Sequence, residues 1–252
     1  MGKKGKTARL KRNPAPKFWP IHRKEFAWVV KPSSGPHSLE KSLSLTLVLR
    51  DILGVAKTKK EAGMILSQGK VAVDGKIRRK ADFPVGLMDV IAMPDVNEFF
   101  RIKPSAKGLV LSRISKDESG FKLARVENKV SAPEGVQVAL HDGSNLLVKV
   151  ADPKNPVEVT YETFDILKLG LPGKQVIDKI TTKVGNLAVI TGGKNIGKQG
   201  KIVEIEKTEA KKRRNALVVI EDDKGVRYQT IFDFVFSIGA TKPLITEATA
   251  GV

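Results

Sequence analysis

Between residues 45 and 53 apolar side chains recur at helical spacing. Leu45, Val48, Leu49, Ile52 and Leu53 fall at i, i+3, i+4, i+7 and i+8, which makes one apolar face, leaves Arg50 on the polar side and ends at Gly54. A second helix begins at Thr58-Lys59-Lys60-Glu61. This is a capping box, in which the Thr58 hydroxyl accepts from an early backbone N–H and Glu61 reaches back to the cap residue. Ala62, Ile65 and Leu66 are its buried stripe, and Gly69 stops it. The period then changes to 2: Val71 and Val73 alternate into Asp74-Gly75, a dipeptide that tolerates the positive φ angles of a type I′ turn, and Ile77 starts the return strand. Past Arg78-Arg79-Lys80, the stretch Phe83-Pro84-Val85-Gly86-Leu87 turns the chain into a closing strand, Asp89-Val90-Ile91-Ala92-Met93. Residues 42–93 are therefore expected to form one compact module of two short helices, a hairpin and a closing strand.

Beyond residue 97 strands dominate. Alternating runs at 99–102, 109–114, 121–126, 136–140, 146–150 and 157–160 predict a β domain reaching to residue 180. Asp117-Glu118-Ser119-Gly120 and Asp142-Gly143-Ser144-Asn145 punctuate it as hairpin turns, and Pro153 with Pro156 marks a longer loop. From residue 184, runs at 187–190 and 202–205 flank a glycine and lysine loop; 216–220, a turn at Asp222-Asp223-Lys224-Gly225 and 226–230 follow. That spacing predicts a small closed barrel. The first 41 residues hold five prolines and no helical period, so most of this arm is expected to be disordered in the isolated chain. Both tryptophans, Trp19 and Trp28, lie in it with Phe18 and Phe26, among Lys17, Arg23, Lys24 and Lys31. Aromatics among cations suit stacking on bases and pairing with phosphates, while Trp28-Val29-Val30 fits a short docked strand equally well.

Charge sharpens the picture. The chain of 252 residues carries a net +18, which calls for a polyanionic partner or a salt-tolerant surface. Residues 1–31 have ten Lys and Arg against Glu25 alone, and residues 40–80 have ten against four carboxylates, whereas residues 94–252 have 25 against 20. Cysteine is absent, which excludes disulfides, a thiolate nucleophile and cysteine-based metal sites and suits a reducing compartment. No apolar segment follows the N-terminal lysines and no run approaches the ~20 apolar residues that span a bilayer. The protein is expected to be cytoplasmic, with no membrane partner.

Lys57, Lys59 and Lys60 surround the start of the second helix, where the macrodipole makes cations mildly unfavourable, by a few tenths of a kcal/mol each. A bound anion reverses that sign. A solvated lysine face also fits, but Arg50, Arg78, Arg79 and Lys80 are placed to converge on the same side. Gly192-Gly193-Lys194-Asn195-Ile196-Gly197-Lys198 fits the spacing of a nucleotide-binding phosphate loop but not its context. Gln199 stands where Ser or Thr would hold magnesium, and a strand rather than a helix follows. A basic hairpin loop with Lys194, Lys198 and Lys201 is the better reading, its glycines allowing backbone to approach phosphates. Lys211-Lys212-Arg213-Arg214 is a second basic loop, a solvated tip by itself and an extension of the same surface if the barrel brings the two loops together. His22, His37 and His141 are far apart and lack metal-ligand spacing, and the carboxylate pairs Asp117-Glu118 and Asp222-Asp223 sit in turns expected to be exposed. No catalytic residue, metal site, cofactor or small-molecule substrate is expected, and the chain is not expected to be an enzyme.

Ala15-Pro16-Lys17 with Trp19, Gly35-Pro36-His37, Leu47-Val48-Leu49-Arg50-Asp51, Gly69 through Lys76, Phe83 through Ile91 and the Gly192 to Lys198 loop together resemble the archaeal and eukaryotic S-four-e family of small-subunit ribosomal proteins. The short uncharged ending is more like the archaeal members. The resemblance implies an α+β, mostly β, multidomain fold: a basic extended arm at 1–41, an S-four-type RNA-binding domain at 42–106, a β-rich central domain at 107–180, a Src-homology-like small barrel with a KOW motif at 181–240 and a flexible tail at 241–252. It implies ribosomal RNA of the small subunit and neighbouring ribosomal proteins as partners, no homo-oligomer, and an arm threaded between RNA helices. The candidate RNA contacts are Lys3, Lys4, Lys6, Arg9, Lys11, Arg12, Lys17, Trp19, Arg23 and Lys24 in the arm; Arg50, Lys57, Lys59, Lys60, Arg78, Arg79 and Lys80 in the module; and Lys194, Lys198, Lys201, Lys211, Arg213 and Arg214 in the last part. An RNA-modifying enzyme, or a KOW-type transcription or translation factor, is the competing reading of the same module.

Overall fold

A computed structural model describes residues 9–150, 161–206, 213–240 and 242–246. The arm enters as a two-stranded ribbon, β1 (Leu10–Lys11) against β2 (Trp28–Val29). Its described part is docked, contrary to the disorder expected. Trp19 is 3% exposed within the module's core, and its indole N–H donates to the Ser42 carbonyl at 2.9 Å. Without helical hydrogen bonds, the backbone carbonyls here are met by arginines. The Arg23 guanidinium donates to the carbonyls of Arg12, Asn13, Ala15 and Pro16 at 2.8–3.1 Å, and the buried Arg12 donates to those of His22 and Trp28. Buried aromatic area and satisfied carbonyls order a segment that proline keeps out of regular structure.

The module follows. After β3 (Ser42–Ser44), α1 (Leu45–Leu47) widens into a π-turn at Val48–Ile52, in which the Leu53 N–H reaches the Val48 carbonyl at 2.9 Å. Thr46 and Leu47 are buried along with Leu45, Val48 and Leu49, so this element is enclosed on more than the single face its periodicity predicts. Helix α2 (Lys59–Ser67) has its cap on Thr58, whose hydroxyl accepts from Glu61 N–H at 3.2 Å. The reciprocal bond is displaced by one residue: the Glu61 carboxylate accepts from Lys57 N–H at 2.8 Å. Asp74 and Gly75 take the predicted positive φ angles, 51° and 73°, between β4 (Ala72–Val73) and β5 (Lys76–Ile77). The stretch read as a turn contains β6 (Pro84–Gly86), which pairs with β3. The closing strand β7 (Val90–Met93) lies between β4 and β8 (Glu98–Ser105), and β9 (Gly108–Arg113) completes a five-stranded sheet in the order β5-β4-β7-β8-β9. The expected division between residues 106 and 107 falls in the turn of the β8–β9 hairpin.

A second five-stranded antiparallel sheet has the order β12-β11-β10-β13-β14. It comprises β10 (Phe121–Ala132), β11 (Gly135–Leu140), β12 (Asn145–Val148), β13 (Ile166–Gly170) and β14 (Gln175–Ile180). Strand β10 pairs with β13 through residue 125 and with β11 from Val126 onward, the second ladder carrying an irregularity between Val126 and Asn128, so one long strand serves two ladders. The run expected at 157–160 lies outside the described residues.

The third sheet contains β15 (Leu187–Ile190), β16 (Gln199–Glu206), β17 (Leu217–Glu221), β18 (Arg227–Ile231) and β19 (Val235–Gly239), in the order β18-β17-β16-β15-β19. Strands β18 and β19 are not paired with each other, so this is a half-barrel rather than the closed barrel expected. The short turn Phe232–Phe234 spans the gap, and Phe232 plugs it, meeting Phe164 edge-on with centroids 4.9 Å apart. Phe232 and the half-buried Phe234 pack into the core of this sheet, whereas Phe236 on β19 packs with Leu123 and Ile166 of the central sheet. No helix among the described residues is long and apolar enough to cross a membrane.

Candidate nucleic-acid interface

The cations that the fold leaves outward are set on rigid elements. Lys57, Lys59 and Lys60 are exposed around the capped start of α2. On the adjoining hairpin, Arg79 and Lys80 are exposed while Arg78 lies over the Phe83 ring, its guanidinium carbon 4.3 Å from the centroid. A hollow of about 420 Å³ lies among Ile77, Arg78, Arg79, Lys80 and Phe83, and the buried Arg78 Nε has no hydrogen-bond partner among the described residues. Arg50 is differently placed: its guanidinium forks onto the neighbouring Asp51 carboxylate at 3.0 and 2.7 Å, which offsets much of its charge.

In the glycine and lysine loop, Ile190 N–H donates to the Lys198 carbonyl and Gly197 N–H to the Ile190 carbonyl, both at 2.8 Å, and β16 follows directly. A Cβ on Gly197 would come within 2.6 Å of Ser105 Cα, so the loop needs glycine there to lie on the β8–β9 turn. Lys194, Lys198 and Lys201 are exposed, with Lys198 Nζ 5.6 Å from the Tyr228 ring centroid. The arginines of the second basic loop are partly engaged within the chain. Arg213 pairs with Glu162 at 3.1 Å, and Arg214 pairs with Glu127 at 3.1 Å and Asp233 at 3.3 Å. Lys3, Lys4, Lys6 and Lys211 lie outside the described residues.

In the arm, Lys11, Lys17 and Lys24 are exposed, but Trp19, Arg12 and Arg23 hold the arm itself. Trp19 is therefore corrected as a stacking candidate: its ring is enclosed by the module. The exposed tryptophan is Trp28, 52% accessible, which the pattern of residues alone did not separate from Trp19.

Beneath these faces the modules are joined by a buried charge cluster that the sequence did not announce. Lys122 on β10 donates to Asp74 at 2.8 Å, Asp89 at 2.5 Å and Asp142 at 3.0 Å; Asp89 also receives Gly86 N–H at 2.9 Å and lies 3.0 Å from His37 Nε2. The His37 ring fits only because residue 86 is glycine, where a Cβ would come within 2.5 Å of it. Burial opposes the Lys122 charge, yet Asp89, Asp74 and Asp142 together hold it above the usual lysine range. Burial likewise opposes the Asp89 and Asp142 charges. Lys122, with His37 for Asp89 and Ser144 for Asp142, keeps both below the usual carboxylate range. Asp74 is pushed up by burial and by the Asp89 charge. His141, edge-on to Phe236 with centroids 5.5 Å apart, is pushed down to about 3 by burial, Lys122 and His37. The turn expected to expose Asp117-Glu118 instead buries Glu118, which receives Arg101 Nε at 3.0 Å. Arg125 extends the junction to the half-barrel, donating to the Asp233 and Val235 carbonyls at 2.6 and 3.1 Å.

Three β-rich units, two joined by a buried ion-pair cluster and the third by Arg125 hydrogen bonds to its backbone, carry cations turned outward on a capped helix, a hairpin and a loop, and together define a multidomain scaffold with a basic surface. Residues 47–91 match the S4 domain model, residues 4–40 the RS4NT domain and residues 96–176 the ribosomal family S4e. The chain is 47% identical over 247 residues to small ribosomal subunit protein eS4 of Desulfurococcus amylolyticus and 46% identical over 247 residues to that of Staphylothermus marinus, covering 97% of each chain in both pairs. The crystal structure of the 30S ribosomal protein S4e from Thermoplasma acidophilum superposes with a TM-score of 0.65 at 31% identity, over 81% of this chain and 99% of that one. The chain belongs to the S4e family of ribosomal proteins.

Proposed function

We propose that this chain is a structural constituent of the small ribosomal subunit in the cytoplasm, binding that subunit's RNA through the arm, the S4 module and the glycine and lysine loop, and so supporting translation. The observation that carries it is the set of exposed cations at Lys57, Lys59, Lys60, Arg79 and Lys80, on a chain that matches proteins named small ribosomal subunit protein eS4 almost end to end. Such cations neutralise phosphates and fix RNA geometry, and no chemical step is assigned to them. We assign the arm to residues 1–41, the RNA-binding module to 42–106, the central unit to 107–180, the half-barrel with its KOW-type loop to 181–240 and a tail to 241–252. Neighbouring ribosomal proteins are the other partners. The relatives' shared name favours this reading over an RNA-modifying enzyme or a transient transcription or translation factor.

Two measurements test it. The protein co-sediments with small subunits and is released only at high salt; a pool free of RNA in cell extracts contradicts the assignment. Replacing Lys59 and Lys60 with alanine leaves the unfolding free energy within about 0.5 kcal/mol of the parent, because both side chains are exposed. The same change lowers the steepness of log affinity against log salt by about 1 to 2, nearly one for each phosphate no longer neutralised. An unchanged slope makes these two lysines solvent-facing only.

A further inference from the structure

The fold treats the two tryptophans of the arm oppositely. Trp19 is enclosed, whereas half of the Trp28 surface faces solvent. Trp28 is nevertheless held in place: β1–β2 pairing sets Lys11 opposite it, and Arg12 Nε donates to its carbonyl at 3.3 Å. The Arg9 guanidinium carbon and Lys11 Nζ each stand 6.0 Å from its ring centroid. Beside the indole opens a groove of about 650 Å³, walled by Arg9, Leu10, Lys31, Lys59, Ala81 and Asp82. Around the ring and groove, four cations face one carboxylate.

We propose that this groove seats one unpaired nucleotide of single-stranded RNA, its base flat against the Trp28 indole and its phosphates among Arg9, Lys31 and Lys59. This rests on the RNA-binding reading above and adds the form of RNA that the arm takes. Its size lies within the ~300–1,000 Å³ of small-molecule sites. Every base has a π-face to offer an indole, but a base within a duplex already has both faces stacked, so the platform selects unpaired RNA. An aromatic side chain from a protein would cover the ring without using the cations, and charge complementarity therefore favours a nucleotide.

The test uses the full chain with a mixed-sequence single-stranded oligoribonucleotide and a blunt duplex of the same sequence. Because Trp19 is buried, single-stranded RNA quenches the tryptophan emission through Trp28, while the duplex leaves it nearly unchanged. Trp28→Ala weakens the single-stranded complex about tenfold or more and keeps the parent's unfolding midpoint, its indole being half in water. Trp28→Phe restores most of the affinity but not the quenching, and Trp28→Leu, apolar but not planar, restores neither. If the parent binds neither oligoribonucleotide nor small-subunit RNA, the RNA-binding reading falls and this seat with it. If small-subunit RNA binds as before while the oligoribonucleotide causes no quenching, or W28A and W28L match the parent, the seat is wrong and the RNA-binding reading stands. Loss of a neighbouring protein from reconstituted subunits, with RNA affinities unchanged in W28A, likewise overturns it in favour of a protein contact.

Discussion

Replacing Lys122 with methionine lowers the unfolding free energy by about 3–5 kcal/mol, the range for removing one partner of a buried ion pair. The side chain is almost wholly enclosed and is the shared donor to Asp74, Asp89 and Asp142, so the substitution leaves three carboxylates in low dielectric without their cation. Typical domains have only about 5–15 kcal/mol to lose, and these partners come from different units: Asp74 and Asp89 from the module, Asp142 from the central sheet. The loss therefore appears as loosening between units as well as a lower midpoint. Faster amide exchange at the β4–β7 and β10 ladders reads the first, and urea titration followed by circular dichroism reads the second. Adding Asp89→Asn to Lys122→Met recovers part of the loss, because the carboxylate nearest the missing ammonium is then neutral. A Lys122→Met midpoint equal to the parent's removes the cluster from any account of how the units are held.

Stability also falls as pH drops from about 6.5 towards 3, and His141 sets the upper part of that window. Its Nδ1 accepts Arg125 N–H at 3.1 Å, so Nε2 carries the proton and donates to the Leu87 carbonyl at 3.1 Å. A second proton would have to sit on Nδ1, against the Arg125 N–H, in a buried site facing Lys122 and His37, with Asp142 as the counteracting charge. The folded value of about 3 lies below the unfolded 6.5, so this contribution is complete above pH 6.5 and is lost as pH falls through that interval towards 3. The amount is on the order of a few kcal/mol. Asp89 and Asp142, also depressed, keep their contributions above about 3.8 and lose them below it; Asp74, raised, acts with the opposite sign above 3.8, where its protonation offsets part of the His141 loss. His141→Asn is less stable at pH 7.5 but flatter between pH 6.5 and 4, as denaturant midpoints across that range read directly. A slope unchanged by His141→Asn assigns the acid sensitivity to other groups.

What was legible in advance was local. The Thr58 cap and the Asp74-Gly75 turn depend on residues within three or four positions, and their chemistry is sufficient to place them. The outward lysines at 57, 59 and 60 were legible too, because they lie off the apolar stripe of α2. The register of the capping box was not: the Glu61 carboxylate accepts from Lys57 N–H rather than from the cap residue's own N–H. Trp19 and Trp28 have equivalent surroundings in the chain, aromatic and basic neighbours and nearby prolines. Only the presence of the Ser42 carbonyl and the module's apolar surface distinguishes them.

The amino-acid order by itself determined the concentration of positive charge in the first third, the capped helix and hairpin that display part of it, the run of strands that follows and the family to which the chain is similar. Tertiary structure decided the docking of the arm, the exchange of roles between its tryptophans, the opening of the expected barrel and the gathering of Lys122 with three aspartates and two histidines. Those aspartates stand in turns and connections 20 to 48 positions from Lys122, where nothing local marks them as buried. The physical reason is common to all four: short-range dihedral preferences and hydrogen bonds act within a few residues, whereas burial and the electrostatics it creates depend on which distant surfaces close over a side chain.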